Sequence, residues 1–310
     1  MRNPVPACLP ALLLGFAQLA AQGLEFVSPE FAEVAGQDAR VETIAAGLQF
    51  TEGPVWIDSA AGKPGYLLFS DIPADIIYRF RPGDTLSVWR SPSGNSNGLV
   101  LDASGRLVSC EHGNRRVGVS SGPGPAATLC DSYRGLPLNS PNDAAVGADS
   151  GIWFTDPPYG IKAGEQRQPA NFVFYLPPGQ KEPRAMVDDF DRPNGIVFSP
   201  DKKVLYVADS GRPHQIRRFR VEGDSLSETG VFAVISPGGP DGMCVDSSGR
   251  LYTSAGDGVQ VFSPDGKLLG KVLTPEVPTN CCFGGDGMRT LFITARPNVY
   301  QVRLKVRGLR

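Results

Sequence analysis

The chain has 310 residues, 41% of them hydrophobic and 20% charged, with a formal net charge of −2. That length and apolar content suffice for a large core, and the lack of a long lysine- or arginine-rich run excludes the electrostatic footprint of a nucleic-acid binder. Glycine (37) and proline (28) are abundant but dispersed, as expected for many short strands joined by tight turns.

The N-terminal stretch MRNPVPACLPALLLGFAQLAAQG carries an early Arg2, an apolar run from Leu12 to Leu19 and small residues from Ala20 to Gly23. It reads as a secretory signal peptide over residues 1–23, which predicts an exported protein, periplasmic or secreted, whose mature part is a single domain over 24–310. The apolar run is too short to span a bilayer, and no later segment approaches the ~18 apolar residues a span needs. Cys8 falls within the removed segment. Five cysteines follow it: Cys110, Cys130, Cys244, Cys281 and Cys282. Their odd number leaves at least one thiol unpaired within the chain, and their spacings are not those of a zinc site. Cys244, Cys281 and Cys282 read as small buried strand residues; a Cys110–Cys130 disulfide stays open.

From residue 51 onward one grammar recurs six times: TEGPVWIDSAAGKPGYLLFSD (51–71), SNGLVLDASGRLVSCE (96–111), SPNDAAVGADSGIWFTD (140–156), RPNGIVFSPDKKVLYVAD (192–209), GPDGMCVDSSGRLYTSA (239–255) and PTNCCFGGDGMRTLFITA (278–295). Each unit has a polar residue, an apolar strand, a Gly/Asp/Ser turn and a second strand rich in β-branched and aromatic residues. Third strands follow in several units, as in DIIYRFRPGD, NFVFYLPPGQ, QIRRFRVEGD, GVQVFSPDGK and VYQVRL, and weaker fourth runs such as LSVWRS, AMVDDF, VFAVIS and LLGKVLT. The basic RRFR within the third of these reads as a solvated strand face. Six four-stranded units with a period of about 40–52 residues predict an all-β, six-bladed β-propeller around a central channel. Residues 24–47 precede the first blade or supply a closing strand.

Aligning the units on their first strands places Glu52, Asn97, Asn142, Asn194, Asp241 and Asn280 at one position. Innermost strands line a propeller's axis, so these six oxygen-bearing side chains should form a ring at one mouth of the channel. Asparagine and aspartate also suit turns before glycine, which explains the Asn-Gly pairs but neither Glu52 nor a full set of six. Oxygen donors select hard cations, so the ring predicts a divalent metal, calcium before magnesium, manganese or zinc. With only His112 and His214 in the chain, a histidine-rich metal site is excluded. A second row of acids, Asp71, Glu111, Asp156 and Asp209, follows the second strands and is interrupted by Ala255 and Ala295; it reads as structural stitching between neighbouring blades.

The motifs EGPVW, FSDIP, SPND, RPNG, PDGMC and TNCCFGG, in this order, resemble the gluconolactonase and regucalcin (senescence marker protein) family of six-bladed propellers, itself similar to diisopropyl fluorophosphatase and bacterial lactonases. The resemblance runs from about Phe50 to Leu304. It implies hydrolysis of a small-molecule sugar lactone, with a divalent metal held by Glu52, Asn142, Asn194 and Asp241. Asn97 and Asn280 are then outer or substrate contacts, with Asn142 also facing substrate. Family members of the regucalcin type carry an arginine that meets substrate two residues before the blade-3 asparagine; Ser140 stands there in this chain and leaves the substrate's identity open. The Cys281-Cys282 pair occurs in cytosolic members too and reads as packing.

A metal in this ring would polarise a lactone carbonyl, with Asp241 as general base on a water or as direct nucleophile. His112, in EHGNRR, is a candidate proton relay or sugar contact. Arg115, Arg116, Tyr159 and Arg296 are further loop candidates, and FTDPPYG opens a blade-3 insertion suited to a lid or specificity loop. Two other readings remain: a periplasmic binding propeller with structural calcium and no catalysis, and a phosphotriesterase-like hydrolase. The sequence carries no oligomerisation signal.

Overall fold

The computed structural model describes residues 23–58 and 64–309. Residues 1–22, on which the signal-peptide reading rests, lie outside the described residues.

Alternating apolar patterns fold as six antiparallel sheets of at least four strands. Blade 1 is Thr51–Ile57, Tyr66–Asp71, Ile76–Phe80 and Ser87–Arg90; blade 2 is Ser96–Leu101, Leu107–Glu111, Arg116–Ser120 and Ala127–Cys130. Blade 3 comprises Ala144–Val146, Ile152–Asp156, Phe172–Leu176 and Arg184–Val187, and blade 4 Pro193–Phe198, Val204–Asp209, Gln215–Glu222 and Ser225–Val234. Blade 5 begins with Met243–Val245, Leu251–Ala255, Gly258–Phe262 and Leu268–Val272; blade 6 with Asn280–Gly284, Thr290–Ala295 and Asn298–Arg303. The first strands touch one another in a closed cycle, from blade 1 through blade 6 and back to blade 1. This is the six-bladed propeller that the repeats predict.

The N-terminal segment closes the structure. Val41–Ala45 is the outermost strand of blade 6, with Val41 opposite Val302 and Thr43 opposite Tyr300. A strand from the N-terminal segment and the last strand, Asn298–Arg303, thus share one sheet, and no blade is left with three strands. Leu24–Phe26 adds a fifth strand to blade 5, Leu24 opposite Val272. A one-turn helix, Phe31–Val34, follows it and packs buried Phe31 onto the sheet. A Cβ at Gly270 would lie 2.4 Å from the Phe31 ring, so only glycine admits this approach.

Aromatic residues fill the wedges between blades. Trp56 of blade 1 stacks on Phe292 of blade 6 at 5.4 Å, Trp153 of blade 3 meets Phe198 of blade 4 edge-on at 6.0 Å, and Tyr252 of blade 5 meets Phe283 of blade 6 at 5.0 Å. Such rings bury large areas in geometries that favour edge and offset contacts.

All five described cysteines are free thiols. Cys110 and Cys130 both lie opposite Val117, on either side of it. Two ladder spacings of about 4.8 Å separate them, beyond the ~7 Å that a disulfide tolerates, so the open Cys110–Cys130 pairing is ruled out. Cys244 and Cys281, on the first strands of blades 5 and 6, touch through sulfurs 3.5 Å apart. Cys282 faces the channel.

No helix among the described residues is long and apolar enough to cross a membrane.

Candidate active site

Each ring residue sits where its first strand opens. In blades 1, 2 and 4 the ladder slips between Glu52 and Val55, Ser96 and Leu99, and Pro193 and Ile196. These bulges interrupt pairing and re-aim the side chain. None of the six residues adopts positive φ, so the asparagines are not there for a left-handed turn. The glycines that follow them explain the Asn-Gly pairs. A Cβ at Gly53 would lie 2.0 Å from the Asn97 carbonyl oxygen, one at Gly195 2.2 Å from that of Asp241, and one at Gly242 1.9 Å from the Asn280 amide carbon. Glycine therefore lets each blade's ring residue press against the next, which draws the ring tight.

Hydroxyls lock this closure. Ser70 donates to the Asn97 carbonyl at 2.8 Å, Thr155 to that of Asn194 at 2.7 Å, Ser254 to that of Thr279 at 2.8 Å, and Thr279 to that of Thr51 at 2.8 Å. The stitching between blades is thus carried largely by second-strand hydroxyls, not by the row of acids. Asp71 instead accepts the Gln49 and Phe50 amides, Asp156 the Asn139 amide, and Asp209 the Asp191, Arg192 and Gly211 amides. These acids hold the segment that enters their own blade. Glu111 departs from the pattern and pairs with Arg116 at 2.6 Å.

Glu52, Asn97, Asn142, Asn194 and Asn280 are buried, while Asp241 alone of the six keeps partial exposure. Glu52 donates nothing and accepts the Gly53 amide at 3.0 Å. Burial first, then the Asp241 charge, raises its pKa well above the usual carboxylate range. Burial and then Asp143 raise Asp241 to about 7, while the Asn194 amide and the Arg296 charge act in the opposite sense. The Asn280 side-chain oxygen accepts the Cys281 amide at 2.8 Å, and its amide nitrogen turns toward Glu52 and Asp143.

Asp143 is a site residue that the repeat alignment misses. It follows Asn142 in SPND, where it reads as half of a turn dipeptide. Its buried carboxylate accepts the Ala144 amide at 2.9 Å, and burial raises it to about 7. It faces the channel beyond the ring, where a cavity of about 720 Å³ runs toward the opposite mouth past Phe198, Lys202, Met243 and Leu309.

His112 is buried beside Asn97, whose amide nitrogen lies 3.3 Å from Nε2. Burial lowers the imidazole to about 4, so it is neutral at neutral pH. The loop after Asp156 packs on it, since a Cβ at Gly160 would lie 2.5 Å from the His112 Cβ. Ser140 is fully buried and fastens that loop: its hydroxyl donates to the Pro157 carbonyl at 2.6 Å and accepts the Gly160 amide at 2.8 Å. The same insertion is pinned at its far end by Gln168, which donates to the Tyr133, Leu136 and Pro137 carbonyls of a small hairpin. The insertion brings Tyr159 to the ring's rim, where its phenol approaches Asn194 and Ser210. Arg115 and Arg116, by contrast, are spent on Leu138 and Glu111.

The donor set suits a hard divalent cation. Glu52 and Asp241 form no ion pair among the described residues, and Asn97, Asn142, Asn194 and Asn280 are buried beside them in the ring. Uncompensated buried carboxylates are costly unless a cation joins them, and carboxylate and amide oxygens are the ligands calcium prefers. Among the described residues no group of three or more His, Cys, Asp or Glu side chains could hold a metal by itself, so the asparagines are required members of any such site.

A six-bladed propeller with a buried carboxylate–amide ring at one mouth defines the class of this protein. The SMP-30/Gluconolactonase/LRE-like region matches residues 50–296, and the chain belongs to that family. It is 33% identical to a gluconolactonase of Zymomonas mobilis, over 91% of this chain and 86% of that one. A solved gluconolactonase structure from Xanthomonas campestris is 36% identical and superposes with a TM-score of 0.84, covering 91% of this chain and 95% of that chain. Regucalcin of Xenopus laevis is 26% identical over 79% of this chain and 82% of its own.

Proposed function

We propose that the chain opens sugar lactones by hydrolysis at the ring, using a divalent metal held by Glu52, Asn142, Asn194 and Asp241. Its likeness to gluconolactonases of similar length supports a lactone-hydrolysing enzyme. The single observation that carries the site assignment is the convergence of two uncompensated carboxylates with buried amides at one mouth of the channel.

Calcium is the first choice of ion on donor chemistry, with magnesium, manganese and zinc behind it. Such an ion, when bound, polarises the lactone carbonyl and makes bound water more acidic. Asp241 does the proton work, because it is the ring carboxylate that substrate can reach. It takes the proton of the water whose oxygen attacks the carbonyl carbon. The ring C–O bond then breaks, and the same proton returns to the departing alkoxide, giving the open hydroxy acid. Direct attack by Asp241 on the carbonyl is the variant route. Asn97 and neutral His112 orient substrate hydroxyls by hydrogen bonds, since an imidazole lowered to about 4 keeps one N–H donor and one acceptor nitrogen at neutral pH but is not an imidazolium acid. Ser140 acts through the Pro157–Gly160 loop, which it holds against His112.

The test is to strip the protein with a chelator and assay glucono-δ-lactone and other aldonolactones, restoring calcium, magnesium, manganese or zinc singly. The expected result is turnover that disappears on stripping and returns with one ion. Full turnover in the stripped protein would refute the metal role. The N-terminal composition further supports export, which N-terminal sequencing of the mature protein in its native compartment would check.

A further inference from the structure

Two guanidinium groups at the ring's mouth have no carboxylate partner among the described residues. Arg192 lies two residues before Asn194, and its guanidinium carbon sits 5.4 Å from the centre of the Tyr159 ring. Arg296 follows the second strand of blade 6. Its carbonyl accepts the amide of Thr51 at 2.8 Å, which fixes its backbone beside Glu52. Both side chains are exposed, and among the described residues neither forms an ion pair or donates a side-chain hydrogen bond. Three other arginines of the blades are committed to carboxylates: Arg116 to Glu111, Arg217 to Asp189 and Glu228, and Arg250 to Glu33 and Asp246.

The two positions flank Asp241, Arg192 from blade 4 and Arg296 from blade 6. Arg296 contributes a favourable charge at Asp241, and Arg192 one at Tyr159, whose phenol reaches Asn194. The cation–π contact with Tyr159 restrains the Arg192 guanidinium while leaving its N–H groups free. A planar, weakly hydrated, unpaired fork is suited to bidentate recognition of phosphate, sulfonate or carboxylate.

We infer that Arg192 and Arg296 form an anion clamp, so that the site takes lactones bearing an anionic substituent away from the carbonyl in preference to neutral ones. This rests on the lactonase reading of the same ring. The clamp binds the substituent while the lactone carbonyl lies over Asp241, and Tyr159 supports Arg192 rather than touching the reacting atoms.

The test compares kcat/KM for glucono-δ-lactone and for the same lactone phosphorylated on its primary hydroxyl, in the metal-loaded enzyme. The wild type should favour the phosphorylated substrate. Arg192→Gln and Arg296→Gln should each lower the ratio of the two kcat/KM values by roughly 10- to 100-fold, mainly through KM, whereas Arg40→Gln on the outer edge of blade 6 should leave the ratio unchanged. Equal use of both lactones, or a ratio that the two variants do not move, overturns the clamp and leaves the lactonase reading standing. If neither lactone is turned over, the lactonase reading fails and calorimetry with the phosphorylated aldonate decides the clamp. Binding that the double variant loses then supports it, and absent or unaltered binding overturns it.

Discussion

Two rows of acidic and amide side chains circle this channel, one on the first strands and one on the second, and burial sets apart only the partly exposed Asp241. Partners distinguish the rows. Asp209 accepts three backbone amides at 2.9–3.1 Å, and Asp71 accepts two at 3.0 Å. Glu52 accepts one, from its own neighbour Gly53, and Asp241 has only the Asn194 amide and a distant guanidinium in its favour. A buried carboxylate surrounded by N–H groups is a structural fastening; one left short of them retains capacity for a cation, a proton or a substrate.

The largest separation between the rows should appear in activity. Asp241→Asn keeps the shape and is expected to cut kcat by about 10²–10⁴-fold, the range of a lost general base, with a melting temperature in the stripped protein equal to or above wild type. Asp209→Ala should reverse the pattern. Leaving its amide donors unsatisfied is expected to cost about 2–4 kcal/mol in chemical denaturation, while protein that remains folded retains metal affinity.

A smaller effect probes the geometry that draws the ring tight. Gly195→Ala places a Cβ against the Asp241 carbonyl, which is backbone and cannot turn away. We expect a loss of about 1–3 kcal/mol in stability and weakened metal binding, measured together by denaturation and calorimetry. Gly105→Ala makes a useful contrast for position: nothing lies within 4 Å of its Cβ, so its cost comes only from its positive φ of 75°, and metal binding should be untouched.

Acidity supplies the smallest and most diagnostic contrast. Glu52, Asp143 and Asp241 all have folded-state pKa values raised chiefly by burial, the latter two to about 7. A raised folded-state value means that the native stripped protein binds protons more tightly than the unfolded chain. Its stability from these groups is therefore greatest below the ordinary carboxylate range of about 4 and falls as pH rises toward 7. A bound cation removes that loss. The difference in melting temperature between calcium-loaded and stripped protein should widen from pH 5 to pH 8; a difference that stays constant would separate these carboxylates from metal binding.

The blades were legible because their strands alternate with period two and recur with the same polar residue at the same place. The ring followed from that alignment, and Glu52 marked it as more than a row of turn residues. Asp143 was hidden because blade 3 places an acid where blades 1, 2, 4 and 5 place glycine, so its role depends on a neighbour's contact rather than on the repeat. The closing strand Val41–Ala45, VETIA, has too little apolar character to declare its partner, and Leu24–Phe26 is only three residues long. The sequence points to the second-row acids as stitches between blades, whereas the hydroxyl preceding Asp71 and Asp156 makes that contact and the acid itself caps incoming amides. Such pairings between distant segments leave no local pattern.

The most direct measurement is calorimetric titration of chelator-stripped protein with calcium, for the wild type, Glu52→Gln, Asp241→Asn and Asp209→Asn. The account predicts one ion bound per chain, binding lost in Glu52→Gln and Asp241→Asn, and binding retained in Asp209→Asn. Retention of wild-type affinity by both ring variants would contradict it.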